Sequence, residues 1–467
     1  MHTLLQLTGR LLPIKITSVT SLLTKILPLL LLSSSASAQL SLSVQLRTRT
    51  ELRDGQGAPL PKGVSPAVFT SQRSRLMLNY STYRLKLGLS LQDVRVWGQD
   101  GSTINRTTTE SNNGLLLHEA WAEILLSDTA DKKNSFSVKL GRQELVYDDQ
   151  RLIGNLDWLQ QARRHDAIVF KYLSGGLTAH AGFAFSQNKE NASSTIYNPT
   201  PAGNYTANTN GGAMYKSLQY IHLNKKNTRG TISLLAFADQ FNKYHNDMAT
   251  GKAVKVFDSG VWGRYTTGFY FLRHIHRLDL NGAAYYQFGK NSDGAKLSGA
   301  LLSLATTYNF TDKFSAGPGY DYTTGGSTAG RSNAFDPLYG TPHKFWGLMD
   351  YFYAASGFGN KGLADYYLKT KYSISKTIGL NADLHEFGSA SAIYNAAGQQ
   401  MNRNFGTEID LVLSYTLSKY IGLESGYSHF FSTGSLTSAG VKNIANASNN
   451  SNWAYISLNI RPDLFSK

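Results

Sequence analysis

Cysteine is absent from this chain, which excludes disulfides and thiolate metal sites and leaves an exported form to find its rigidity elsewhere. Charge is sparse, at 16% of residues. Beyond residue 38 no segment is apolar enough to cross a bilayer as a helix, which takes about 20 residues, so any crossing is made with strands. Long basic blocks are also missing. The formal charge is +15, yet no Lys/Arg run exceeds three residues and no basic helix occurs, which argues against nucleic acid as a partner.

Acidic side chains are lacking before Glu51. Arg10, Lys15 and Lys25 precede the apolar run Ile26–Leu32, and small residues follow, ending Ala36-Ser37-Ala38. This reads as a secretory signal over 1–38, cut after Ala38, followed by one domain over 39–467. The alternative, an uncleaved anchor, meets the difficulty that the apolar run is too short to span.

What the chain does have is 12% aromatics, 43 glycines and alternating polarity. Taken alone, that composition also fits a soluble β-sandwich. The pattern is more specific. Eighteen strand-like stretches fall near 40–53, 67–80, 83–97, 115–126, 135–146, 164–173, 177–186, 214–223, 230–240, 259–270, 277–289, 296–309, 313–323, 364–374, 378–388, 405–416, 420–431 and 452–461. Their connections are alternately short and long, with 187–213, 324–363 and 432–451 all on one side. The fold class expected is all-β, a transmembrane antiparallel barrel of about 18 strands with short periplasmic turns and long extracellular loops, in the outer membrane of a Gram-negative-type bacterium.

Alternation also assigns faces. In the first strand Leu42, Val44, Leu46 and Leu52 share one side while Arg47, Arg49, Glu51 and Arg53 share the other. A charge facing lipid near the midplane costs about 2–4 kcal/mol, so the charged side should line the lumen. The same logic puts Arg73, Arg75 and Lys139 inside. At Asp93 and Arg95 the alternation slips, and a bulge near Gln92 is inferred to turn both inward. Asp383, Glu408, Asp410 and Glu424 add carboxylates from the late strands. Because the last strand should close onto the first, a basic and an acidic wall would share one channel and set a transverse field.

Several segments together resemble the alginate export family of outer-membrane porins: Gln92-Asp93-Val94-Arg95-Val96-Trp97-Gly98, His118-Glu119-Ala120-Trp121, the run from Gly141 to Gly154, Tyr286-Gln287-Phe288-Gly289-Lys290, Phe335-Asp336-Pro337-Leu338-Tyr339-Gly340 with His343 and Asp350, Glu408-Ile409-Asp410-Leu411-Val412, and Gly426 to Phe431. The resemblance implies an eighteen-stranded barrel, monomeric, that passes a polyuronate passively through an arginine-rich constriction. It further implies roles for Arg95, Arg142 and Arg151, with Asp93, Glu119, Glu144 and Asp149 as carboxylates that position the guanidinium groups. Arginine suits the task because its planar fork grips a carboxylate while keeping its charge. The chain departs from the family pattern at His165, where an aromatic is usual, and at Ile460-Arg461-Pro462, which a short tail follows in place of a terminal aromatic.

Other readings stay open. Residues 151–164, with Asp157, Trp158, Arg163 and Arg164, form either a gate folded into the pore or a surface loop pinned by Trp158. Phe335–Phe345 is an external lid or, better, a rigid capping turn. His274 and His276 read as a hydrated turn pair rather than a metal site. The runs Phe269-Tyr270-Phe271, Tyr351-Phe352-Tyr353 and Phe430-Phe431 suit interface girdles, with a sugar platform as the alternative for Tyr351 and Tyr353. No nucleophile motif accompanies any histidine, so an enzyme is not expected, and no cofactor is implied. The partners expected are an anionic oligo- or polysaccharide, outer-membrane lipid and the barrel assembly machinery. The rivals are a general or anion-selective diffusion porin and a structural or adhesive barrel using its Asn- and Ser-rich loops.

Overall fold

The computed structural model describes residues 39–98, 115–128, 131, 133–186, 215–248, 251, 254–354 and 357–466. The segment 1–38, read as an export signal, lies outside the described residues, as does 187–213. Eighteen antiparallel strands close into a barrel. In chain order they are β1 Gln39–Asp54, β2 Ala67–Ser81, β3 Leu85–Val96, β4 Leu116–Leu125, β5 Asn134–Gln143, β6 His165–Ser174, β7 Leu177–Phe185, β8 Ser217–Asn227 and β9 Gly230–Asp247. The second half comprises β10 Val254–Ile275, β11 Leu278–Lys290, β12 Lys296–Asn309, β13 Phe314–Thr323, β14 Leu363–Ser373, β15 Ile378–Gly388, β16 Asn404–Ser418, β17 Ile421–Ser432 and β18 Asn450–Ile460.

Each strand pairs with its sequence neighbour, and β18 pairs with β1 from Leu46↔Ile460 to Asp54↔Asn452, which leaves no open edge. Past the break at Arg461-Pro462 the chain resumes pairing, with Asp463–Ser466 running against Ser41–Ser43 and Phe465 opposite Leu42 on the outer face. An outward aromatic therefore does stand near the end of the chain, which corrects the reading of the tail.

β9 and β10 run well past the expected 230–240 and 259–270. Polar stretches such as Asn242–His245 lose the alternation while the backbone ladder continues, with a register shift between Phe257 and Val261. Outward aromatics form belts at both ends, including Tyr308, Phe310 and Phe314 beside a short turn and Tyr265, Tyr286 and Phe288 near the long loops.

Two long connections fold into the barrel. The β5–β6 loop, 144–164, and the β13–β14 loop, 324–362, meet through a parallel bridge between Ile153 and Tyr339, extended by Tyr339 N–H donating to Leu152 O and Thr341 N–H to Gln150 O. Trp346, Met349, Tyr351 and Phe352 of the second loop pack with Phe387, Phe405, Phe430 and Leu436 in a buried cluster. The Tyr351 and Phe430 rings stack with centroids 4.1 Å apart. Tyr351, Phe352 and Phe430 thus belong to an internal core, not to a girdle; of that aromatic set Phe269 and Phe431 are exposed on the outer face.

Candidate functional site

The inner surface of β1 and β2 carries the densest charge. Arg47 lies directly across from Arg73, and Gln45 from Arg75, so period-2 geometry stacks the guanidinium groups on one lumenal wall. Arg49 stands two residues above. The tip of the β5–β6 loop lies against this wall. Asp157 accepts from Arg73 NH1 at 2.8 Å, Arg47 NH1 at 3.3 Å and Arg75 NH1 at 3.4 Å. Arg49 NH1 donates to Trp158 O at 2.8 Å while its guanidinium covers the indole ring at 4.1 Å. Trp158 stacks in turn on His343 of the other inward loop, centroids 4.3 Å apart. Gln160 completes the contact, accepting from Arg47 and donating to Ser71. Of the two readings of 151–164, the structure has the loop inside the pore, and the strand arginines hold it there.

At Asp157 burial pushes the carboxyl up, but the neighbouring Arg73, Arg47 and Arg75 more than offset that and hold it below the usual carboxylate range. Arg163 is fully buried and donates to the carbonyls of Gly154, Tyr339 and Gly340, tying the two loops together. Arg164 is half-buried at the foot of β6.

Other expected residues separate. Arg151 is buried, pairs with Asp149 at 3.2 Å and with Asp321 of β13, and lies over the Phe345 ring; it fastens the loops rather than lining an open channel. Glu144 lies beyond β5, which ends at Gln143, and accepts from His118 at 2.8 Å and Asn155 at 2.7 Å. Glu119 accepts from the Glu144 backbone N–H at 3.3 Å and from Trp121, and Lys139 sits 3.8 Å over the Trp121 ring on the same inner wall. Glu408 and Asp410 face inward and accept the backbone N–H groups of Met349 and Leu348, at 2.7 and 3.3 Å.

Three residues face the wrong way. β2 and β3 pair without a break from Ser71↔Val96 to Ser81↔Lys86, so Asp93 and Arg95 share the outward face with Leu89 and Leu91 and pair with each other at 2.6 Å. The bulge exists, but on the facing strand: β3–β4 register shifts between Ser90 and Leu91, which turns His118 inward. Arg142 lies opposite Ala120 and Asp166 and forms an outward pair with Asp166 at 2.8 Å. Periodicity cannot tell which of two paired strands holds the extra residue, and the carry-over of Arg142 had no face assignment behind it.

Sequence reasoning missed the groups that anchor the loops. Arg264 pairs with Asp239 at 2.5 Å and Asp336 at 2.9 Å, and Tyr339 O–H donates to Asp239. Asp148 accepts from His222 at 3.0 Å and Ser233 at 2.6 Å. Inward alternation on β9 and β10 could have marked Asp239 and Arg264. His274 pairs with Asp279 at 2.6 Å, and no cluster of potential metal ligands occurs among the described residues. His165 replaces the family's aromatic by stacking on Tyr215, with a hydrogen bond of 2.9 Å.

A cavity of about 420 Å³ borders the arginine wall, lined by Arg47, Arg49, Asp157, Trp158, Tyr415 and Glu424. A second, of about 660 Å³, lies on the opposite wall beside Tyr147, His180, His222 and Lys226.

A closed barrel with inward loops and a charged lumen defines an outer-membrane channel, not an enzyme. The alginate export family matches residues 38–449, and the chain belongs to it. Among solved structures, Pseudomonas aeruginosa OpdO is similar with a TM-score of 0.59 at 12% identity, covering 91% of this chain and 98% of that one. P. aeruginosa OccK2 (OpdF) in complex with glucuronate has a TM-score of 0.55 at 12% identity, with coverage of 91% and 97%. OccK9 (OpdG) of the same organism has a TM-score of 0.55 at 14% identity, with coverage of 91% and 98%. No curated protein sequence matches this chain.

Proposed function

We propose that the protein passes anionic solutes, acidic saccharides or a polyuronate, passively across the outer membrane, with selectivity set by Arg47, Arg49, Arg73 and Arg75. The observation that carries this is the convergence of these side chains on one lumenal wall beside a cavity whose floor includes Arg47 and Arg49. Glu51 shares the wall, paired with Arg49 at 2.8 Å and Arg53 at 2.9 Å, while Asp321, Asp365, Asp383, Glu408, Asp410 and Glu424 lie across β13–β17. The resulting transverse field orients a charged solute, and each contact stays weak enough for release. The glucuronate complex of OccK2, a distant structural relative, agrees with this class of solute. Residues 1–38 serve as the export signal, 39–467 form one barrel inserted by the assembly machinery, and the barrel works as a monomer.

The test is the reversal potential of the purified protein in a planar bilayer under a salt gradient. Anion selectivity with block by oligouronate is expected, and reversing Arg47, Arg49 and Arg75 to Glu together should move the preference towards cations. Unchanged selectivity in that triple variant rejects the arginine wall as the filter. Selectivity for anions without uronate block supports a general anion porin, and absence of conductance a structural or adhesive barrel.

A further inference from the structure

Asp157 accepts four hydrogen bonds from three arginines, two at each oxygen, which fills the capacity of one carboxylate. Arg73 NH1 and NH2, Arg47 NH1 and Arg75 NH1 all reach it, at 2.8 to 3.4 Å. Even so, Arg73 Nε and Arg75 NH2 are buried with no hydrogen-bond partner among the described residues. Unmet buried donors are costly and uncommon. The three guanidinium groups are shielded, with side-chain exposures of 1%, 12% and 8% for Arg73, Arg47 and Arg75, whereas the Asp157 side chain is 43% exposed and borders the cavity of about 420 Å³. The carboxylate that fills the cluster is therefore its most accessible member, and it sits on a loop rather than on the barrel wall.

We propose that Arg47, Arg73 and Arg75 form a binding site for one solute carboxylate, of the uronate class, and that Asp157 is its resident occupant, displaced when the solute binds. The carboxylate of a uronic acid has the charge and bidentate shape of the aspartate group, so exchange keeps the arginines paired. The exchange removes the Asp157 contacts and leaves those of Trp158 and Gln160 to hold the tip of the β5–β6 loop, which loosens it. Entry of an acidic saccharide and loosening of the loop tip thus become one event, and a neutral sugar does not trigger it. This presupposes a channel that admits anions.

The experiment is block of single-channel current by glucuronate in the whole barrel, comparing wild type with Asp157→Asn and Asp157→Ala. Removing the internal competitor should lower the half-blocking glucuronate concentration about tenfold or more, with no response to glucose. An unchanged or higher half-blocking concentration, in channels that keep their anion selectivity, overturns the exchange. Loss of anion selectivity in the wild type itself overturns the functional reading beneath it.

A second measurement avoids altering the carboxylate. The chain has no cysteine, so Leu159→Cys takes a single spin label at the loop tip. Saturating glucuronate should add a mobile component to the spectrum and glucose should not. A spectrum unchanged at blocking glucuronate concentrations rejects displacement.

Discussion

Lys442 lies in the long loop between β17 and β18. It is buried, and its ammonium donates to the carbonyls of Gly57 and Tyr351, at 3.0 and 2.5 Å, drawing the first, seventh and last long loops together. Desolvation pushes its pKa down to about 7. The unpacked loop keeps an ordinary lysine value near 10.4, so between about pH 7 and 10 the packed form binds fewer protons than the unpacked one. Packing of this corner should accordingly strengthen as pH rises through that window and weaken below it. Reductive ¹³C-methylation followed by NMR titration checks this: one resonance, lost in Lys442→Arg, should titrate near pH 7. A titration midpoint above 9 would refute it. Nothing in the sequence around Lys442 announces this, since its partners lie 91 and 385 positions away.

At the scale of elements, the strands were readable and the loops were not. Alternation located all eighteen barrel strands and put Arg47, Arg49, Arg73 and Arg75 inside, because a side chain's face depends only on its parity along the strand. Asp93 and Arg95 failed for the same reason: a parity argument depends on knowing which strand of a pair carries the bulge. The inward course of 144–164 and 324–362 depends on contacts such as Gln287 with Asp336 and Glu408 with Met349, which no local pattern encodes.

Two predictions belong to these loops. Deleting 155–162 removes Asp157 and Trp158 from the lumen and should raise single-channel conductance severalfold; no change would mean the tip does not restrict flow. Gly347 has a φ of +78°, and a Cβ there would press on the Glu408 carboxylate. Gly347→Ala should therefore loosen the β13–β14 loop, costing about 1–3 kcal/mol from the left-handed backbone alone. Faster hydrogen exchange at 345–352 with the barrel still folded is the expected signature, and unaltered exchange the contrary one.

For the molecule as a whole, the closed ladder supplies the rigidity that cysteine cannot. β18 against β1 seals the sheet, and the tail Asp463–Ser466 lengthens the seam. Replacing Phe465 with Ser removes an outward aromatic from that seam and should reduce the yield of heat-resistant folded barrel on cold-sample gels. Full yield would show that the tail pairing contributes nothing to assembly.

The inward loops also imply a chronology. Asp157 is fastened to β1 and β2, Arg151 to β13, Asp148 to β8 and β9, and Met349 to β16. No one of these strands provides a sufficient mould, and the β5–β6 loop emerges long before β13 or β16 exists. Contacts so far apart in the chain form late, after the intervening chain has been brought into place. The shell is then built hollow and furnished afterwards, and during that interval the newly inserted barrel is at its leakiest.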